Sequence, residues 1–120
     1  HIGVVPVSRA PDHVKTFLPL APALLNGTGA VHGGRLMGAL DFAMSAAAGS
    51  IAGDLGVATI DMTTSFLAPA TTECTVEARC LRRGRSIAFC EGEVRDAAGE
   101  LVARATGTFR LFPGKRLRAE

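Results

Sequence analysis

The stretch Arg35–Ala52, RLMGALDFAMSAAAGSIA, decides how this chain is read. Alanine, leucine and methionine dominate it and no proline interrupts it, so it is expected to be helical. Apolar residues (Leu36, Met37, Ala39, Leu40, Phe42, Ala43, Met44, Ala46, Ala47, Ala48, Ile51 and Ala52) run nearly all round the helical wheel. A helix of that kind is buried on most sides rather than along one narrow stripe. A membrane span is the rival reading. Asp41 inside the segment, Gly38, Gly49 and the weakly inserting alanines argue against it. Gly53-Asp54-Leu55-Gly56 supplies the stop, giving a central helix over residues 35–53.

Downstream, residues 57–112 read as consecutive β-strands. Thr59–Leu67 is rich in Thr, Ile and Phe and halts before Pro69. In Glu73–Arg82, Cys74, Val76, Ala78 and Cys80 face one way and Thr75, Glu77 and Arg79 the other. Arg83-Gly84-Arg85 makes a turn, Ser86–Arg95 the next strand, and Ala97-Ala98-Gly99 another turn. In Glu100–Phe112, Leu101, Ala103, Ala105, Phe109 and Leu111 share one face, with Arg104, Thr106, Thr108 and Arg110 opposite. Such alternation with short turns means an antiparallel sheet with one covered face, and the apolar helix is the element able to cover it. The result is an α+β fold, one sheet around one helix.

Upstream, residues 1–30 look irregular, broken by Pro6, Pro11, Pro19 and Pro22, with a short helix possible over Asp12–Leu18 and Asp12 as its cap. Asn26-Gly27-Thr28-Gly29 is a turn signal.

The whole chain, 120 residues, suits a single domain that buries about two-thirds of its unfolded surface. A formal charge of +2 and six aromatic residues, all Phe, argue against a nucleic-acid binder, which needs clustered cations and stacking platforms. Cys74, Cys80 and Cys90 lack the paired spacing of a disulfide framework or zinc site, so they read as small half-buried residues in a reduced compartment, with the cytoplasm as the expected location. Among the residues present, no cationic segment leads into an apolar one as a secretory leader would.

Three features bear on chemistry. His32-Gly33-Gly34 opens the helix, where unpaired N–H groups backed by the helix dipole suit a carbonyl oxygen that becomes negative. The same glycines serve equally as a tight turn with no ligand. Asp41 is the one ionisable side chain between Arg35 and Asp54, and a carboxylate on an apolar helix must meet water, a partner or a substrate. Burial would raise its pKa toward that of a general base, and Ser45 at i+4 shares its face. A structural ion pair is the alternative. Arg82-Arg83-Gly84-Arg85-Ser86 sets three cations beside a glycine, suited to phosphate or simply a solvated hairpin tip.

Taken together, several motifs stand in a telling order. They are His32-Gly33-Gly34, Asp41 nine residues after the histidine, Gly56-Val57-Ala58-Thr59-Ile60-Asp61-Met62, Phe66-Leu67-Ala68-Pro69-Ala70 and Arg83-Gly84-Arg85-Ser86-Ile87-Ala88-Phe89. From about Asn26 to Phe112 the chain resembles the hotdog-fold acyl-CoA thioesterases of the PaaI-like, phenylacetate-pathway type. The resemblance implies a central helix wrapped by a curved antiparallel sheet, a homodimer or homotetramer joined edge to edge, and an active site at the subunit seam. It implies that Asp41 activates water or attacks the thioester, and that the Gly33 N–H polarises its carbonyl. Asn26 would orient thioester or water, Thr59 would hold the nucleophile, and Ser45 would add a second hydroxyl. His32 would be mainly structural. Phe66–Thr71, with Pro69, and Arg82–Ile87, with Arg83, Gly84, Arg85 and Ser86, would line the coenzyme A arm. Thr59 departs from the serine of some relatives.

Water, a base and oxyanion donors suffice for thioester hydrolysis, so no metal or cofactor is expected beyond the coenzyme A of the substrate itself. With only His1, His13 and His32 and no G-x-S-x-G elbow, no serine triad is expected. Two alternatives are a hotdog dehydratase or hydratase drawing on His32 and Asp41, and a non-catalytic acyl-CoA binding module. Ala39, Ala43, Ala46 and Ala47 suggest room for an aromatic or medium-length acyl group.

Overall fold

The computed structural model describes residues 5–10, 12–19, 33–49 and 55–113. Strands β1 (Val5–Ala10) and β2 (His13–Leu18) come first, then helix α1 (Gly33–Ala48). Strands β3 (Leu55–Phe66), β4 (Cys74–Arg83), β5 (Ile87–Asp96) and β6 (Leu101–Pro113) follow. All six strands join one antiparallel sheet in the order β1-β2-β4-β5-β6-β3, and α1 lies across it, chiefly over β4 and β5. The α+β hotdog arrangement implied by the resemblance is therefore present.

The core is a thin layer. Leu36, Ala39, Leu40, Ala43, Met44, Ala47 and Ala48 recur at helical spacing along α1 and are buried. They meet Val76, Ala78, Ala88, Cys90, Val94, Ala103, Ala105 and Phe109 from the alternate positions of β4, β5 and β6. Both face assignments made for β4 and β6 hold. Gly92 lies under the helix, where a Cβ would come within 3.0 Å of Leu40 and 3.3 Å of Met44.

The N-terminal third corrects the expectation of an irregular segment with a short helix. Asp12–Leu18 is not a helix. His13–Leu18 is a strand whose Val14, Thr16 and Leu18 face the core, and the β-branched and aromatic residues of HVKTFL suit that extended backbone. Asp12 does not cap a helix but sits in the β1–β2 turn with φ of 64°. Pro6 is accommodated because β1 is an edge strand whose register shifts between Pro6 and Ser8.

The helix also ends sooner than expected. Its last turn closes with Gly49 N–H donating to Ser45 O at 3.1 Å, and Leu55-Gly56, read as part of the stop, already belongs to β3. The physical reason is Arg83. Its Nε donates to Ala48 O at 2.9 Å, and one terminal nitrogen donates to Ala47 O at 2.9 Å and Ala48 O at 2.6 Å. Its other terminal nitrogen pairs with Asp12 Oδ1 at 2.5 Å. A planar guanidinium thus binds carbonyls of the last helical turn, with its charge at the negative end of the dipole.

Nor is α1 buried on most sides within one chain: Met37 and Phe42 are 40% and 47% exposed. That open face borders β3, which ends the sheet with no partner strand on its outer edge among the described residues and carries exposed Ile60 and Phe66.

Replacing Arg83 by methionine keeps the aliphatic stem and removes the guanidinium's bonds to two helix carbonyls and to Asp12. Urea unfolding is expected to show a loss of about 1–3 kcal/mol, only partly recovered by Arg83→Lys, which lacks the fork.

Candidate active site

Asp41 and Thr59, 18 residues apart in sequence, meet directly. Thr59 Oγ1 donates to Asp41 Oδ1 at 2.7 Å. The helix supplies the carboxylate from its middle, and β3 supplies the hydroxyl from its helix-facing row, opposite Phe109 of β6. A hydroxyl that donates to one oxygen fixes the carboxylate plane and leaves the other oxygen available to accept a proton or approach a carbon.

Asp41 is only half-buried and Thr59 is exposed, so one chain does not enclose the carboxylate as the sequence reading expected. Both sit on the border between α1 and the open β3 edge, in a rim that includes Met37, Phe42 and Ile60. Ser45 is half-buried one turn beyond Asp41.

Gly33 is the first residue of α1. A Cβ there would meet the edge of the Phe66 ring at 3.6 Å, so Phe66 roofs the helix N-terminus. Eight residues at 1.5 Å per residue put Gly33 about 12 Å along the axis from Asp41. The two therefore cannot act on one thioester from the same chain. Asn26 and His32 lie outside the described residues.

The two stretches expected to line the coenzyme A arm are likewise separated. Phe66 aligns through Ala103 and Val94 with Val76, whereas Thr59 aligns through Phe109 and Ala88 with Arg83. Seven strand positions separate Val76 from Arg83, about 23 Å. Thus Gly33, Phe66 and exposed Pro69 mark one end of the sheet, and Asp41, Thr59 and the Arg82–Ser86 connection approach the other.

Within that connection, Gly84 N–H donates to Ile87 O at 2.7 Å and Ser86 O accepts from Leu111 N–H at 2.8 Å. Arg82 and Arg85 are exposed, while Arg83 is held at the helix end. The Asp12–Arg83 link is the part the sequence reading missed, since nothing local connects residues that far apart.

Ala39, Ala43 and Ala47 are buried against the sheet, and Ala46 is half-buried. A cavity of about 210 Å³ lies on the far face of the sheet, among Lys15, Glu77, Glu93 and Arg95, away from Asp41. Among the described residues no helix is long and apolar enough to cross a membrane, and no cluster of metal-ligating side chains occurs.

The chain is 32% identical over 88 residues to a protein of Saccharolobus solfataricus named "Putative esterase SSO2140", covering 72% of this chain and 63% of that one. It spans about three fifths of the length of the curated relatives it matches, 63% and 56%. Among solved structures, conserved protein PA5202 of Pseudomonas aeruginosa superposes with a TM-score of 0.88 at 32% identity, covering 92% of this chain and 90% of that one. The PaaI protein of the Escherichia coli phenylacetic acid degradation operon gives 0.87 at 23% identity, over 94% of this chain and 82% of that one, a likeness of fold. Residues 28–103 match the family model described as the thioesterase superfamily, and the chain belongs to that superfamily.

Proposed function

We propose that this chain hydrolyses an acyl- or aryl-CoA thioester to the free acid and coenzyme A, as a homo-oligomer in which each active site is built from two chains. The observation that carries the reading is the Thr59–Asp41 hydrogen bond at an apolar rim beside β3, the end strand of the sheet among the described residues. Membership of the thioesterase superfamily supplies the reaction class.

Antiparallel pairing of β3 with the same strand of a second chain, centred on Thr63 with Ile60 left out of the ladder, sets Thr59 of one chain opposite Phe66 of the other. That pairing reunites what one chain keeps apart. The Gly33 N–H of one subunit then faces Asp41 and Thr59 of its partner across the seam, and the Phe66–Pro69 end meets the Arg82–Ser86 end. The rim residues Met37, Phe42 and Ile60 become buried, which excludes water and strengthens every electrostatic contact inside.

The Gly33 N–H, at the positive end of α1, stabilises the charge that builds on the thioester oxygen. Asp41 takes a proton from water as that water adds to the carbonyl, or adds to the carbonyl itself to give an anhydride that water then opens. Thr59 holds Asp41 in line, and coenzyme A leaves as the thiolate. Arg82 and Arg85 offer exposed guanidinium groups to the phosphates.

Release of free thiol from a panel of short, long and aromatic acyl-CoAs, read with a disulfide reagent, is the direct assay. An enoyl chromophore without thiol would instead mark a hydratase. Asp41→Asn is expected to lower kcat by about 100-fold or more in a folded protein, the range of a lost general base. Thr59→Val is expected to lower kcat by about 10- to 100-fold, the worth of one charge-assisted hydrogen bond. Wild-type turnover by Asp41→Asn would refute the mechanism.

Proline is tolerated at the first position of a helix, so Gly33→Pro deletes the donor while keeping α1. It is expected to cost about 100- to 1,000-fold in kcat. Co-expressing Gly33→Pro with Asp41→Asn gives half mixed dimers, each with one intact site, and about a quarter of wild-type activity. No recovery in verified mixed dimers would mean that both groups act from the same chain.

A further inference from the structure

Cys80 of β4 and Cys90 of β5 are register partners on the helix-facing side of the sheet. Cys80 N–H donates to Asp12 O at 2.8 Å, on the β2 side, so it points away from β5. In an antiparallel ladder a residue turned away in this manner forms a non-hydrogen-bonded pair with its partner. Such pairs hold their Cα atoms about 4.5 Å apart with the side chains close together. That spacing lies inside the window for a disulfide, about 4.4–6.8 Å.

The Cys80 thiol donates to Arg82 O at 3.6 Å, at the bulge that follows it in β4. The two thiols differ in access: Cys90 is buried, whereas Cys80 is only partly so and adjoins the bulge at Leu81, itself 56% exposed. Cys74 stands six positions along β4, about 20 Å away, and pairs with Asp96 instead.

We propose that Cys80 and Cys90 form a redox modification site, a cross-strand thiol pair that a hydroperoxide converts to an intrachain disulfide. The inference rests on strand register and burial and is independent of the proposed hydrolase activity. The Cys80 thiolate attacks the peroxide O–O bond, giving a sulfenic acid and releasing the alcohol, or water when the oxidant is hydrogen peroxide. The Cys90 sulfur then attacks Cys80 and expels the sulfenic oxygen as water. In sum, two thiols and one hydroperoxide give one disulfide, one alcohol and one water, with two electrons passing from sulfur to oxygen.

Burial, with Cys80 beside it, pushes the Cys90 thiol up to about 12. Cys80, the more accessible of the two, is the thiol that reacts first, and closure by Cys90 quickens as pH rises.

The experiment treats the reduced full chain with hydrogen peroxide and reads mass, titratable thiols and non-reducing peptide maps. The expected result is loss of two of the three thiols, a mass lower by two hydrogens, one Cys80–Cys90 linked peptide, and full reversal by dithiothreitol. Cys74→Ser should behave as wild type and Cys80→Ser should form no disulfide. Cys90→Ala should stop at a Cys80 sulfenic acid that dimedone traps. Three surviving thiols, oxygen added to Cys80 without a cross-link in the wild-type chain, or a disulfide joining two chains would each overturn the proposal.

Discussion

Four of the seven buried positions on α1 are alanine, at residues 39, 43, 47 and 48, and that choice governs the rest of the molecule. A helix with such short side chains lies close to whatever it packs on, so dispersion contacts are dense although no single residue buries much area. The sheet answers in kind, with Ala78, Ala88, Ala103 and Ala105 on its inner face and Gly92 where Leu40 and Met44 press in. The close approach lets two short side chains, the carboxylate of Asp41 and the hydroxyl of Thr59, touch across the gap between helix and edge strand. Longer core residues would have parted them.

The inner layer holds the helix in place laterally, and Arg83 fixes it lengthwise. One guanidinium joins the end of α1, the end of β4 and the β1–β2 turn through Ala47, Ala48 and Asp12. It is only 17% exposed, so its contacts are made where water competes weakly. The cluster Arg82-Arg83-Gly84-Arg85 therefore divides by task, its middle member serving the fold and the exposed Arg82 and Arg85 remaining at the surface.

Much of the fold was legible because its strands are amphipathic with period two. The faces of β4 and β6 follow from Cys74, Val76 and Ala78 and from Ala103, Ala105, Phe109 and Leu111 with no knowledge of neighbours. Residues 13–18 were misread because their alternation is masked: His13, Lys15 and Phe17 opposite Val14, Thr16 and Leu18 mix polar and apolar on both faces. The helix end was misplaced because its cap comes from an arginine 35 residues downstream. Asp41 was legible as a lone acid on an apolar helix, and the resemblance supplied Thr59 as its companion. Its half-burial was not legible, because enclosure at an open strand edge belongs to contacts a single sequence does not encode locally.

Strand β3 shows what one surplus residue can do. Thr59 and Phe66 are seven positions apart, an odd interval, so an unbroken pleat would turn one toward the helix and the other toward water. Both look at α1 because Ile60 is left out of the ladder between Thr59 and Asp61. That skipped beat inverts the phase of the strand halfway along. It lets a single ribbon present a hydroxyl to the middle of the helix and an aromatic roof to its beginning. The sidedness of this surface is therefore written in a count of residues as much as in their identity.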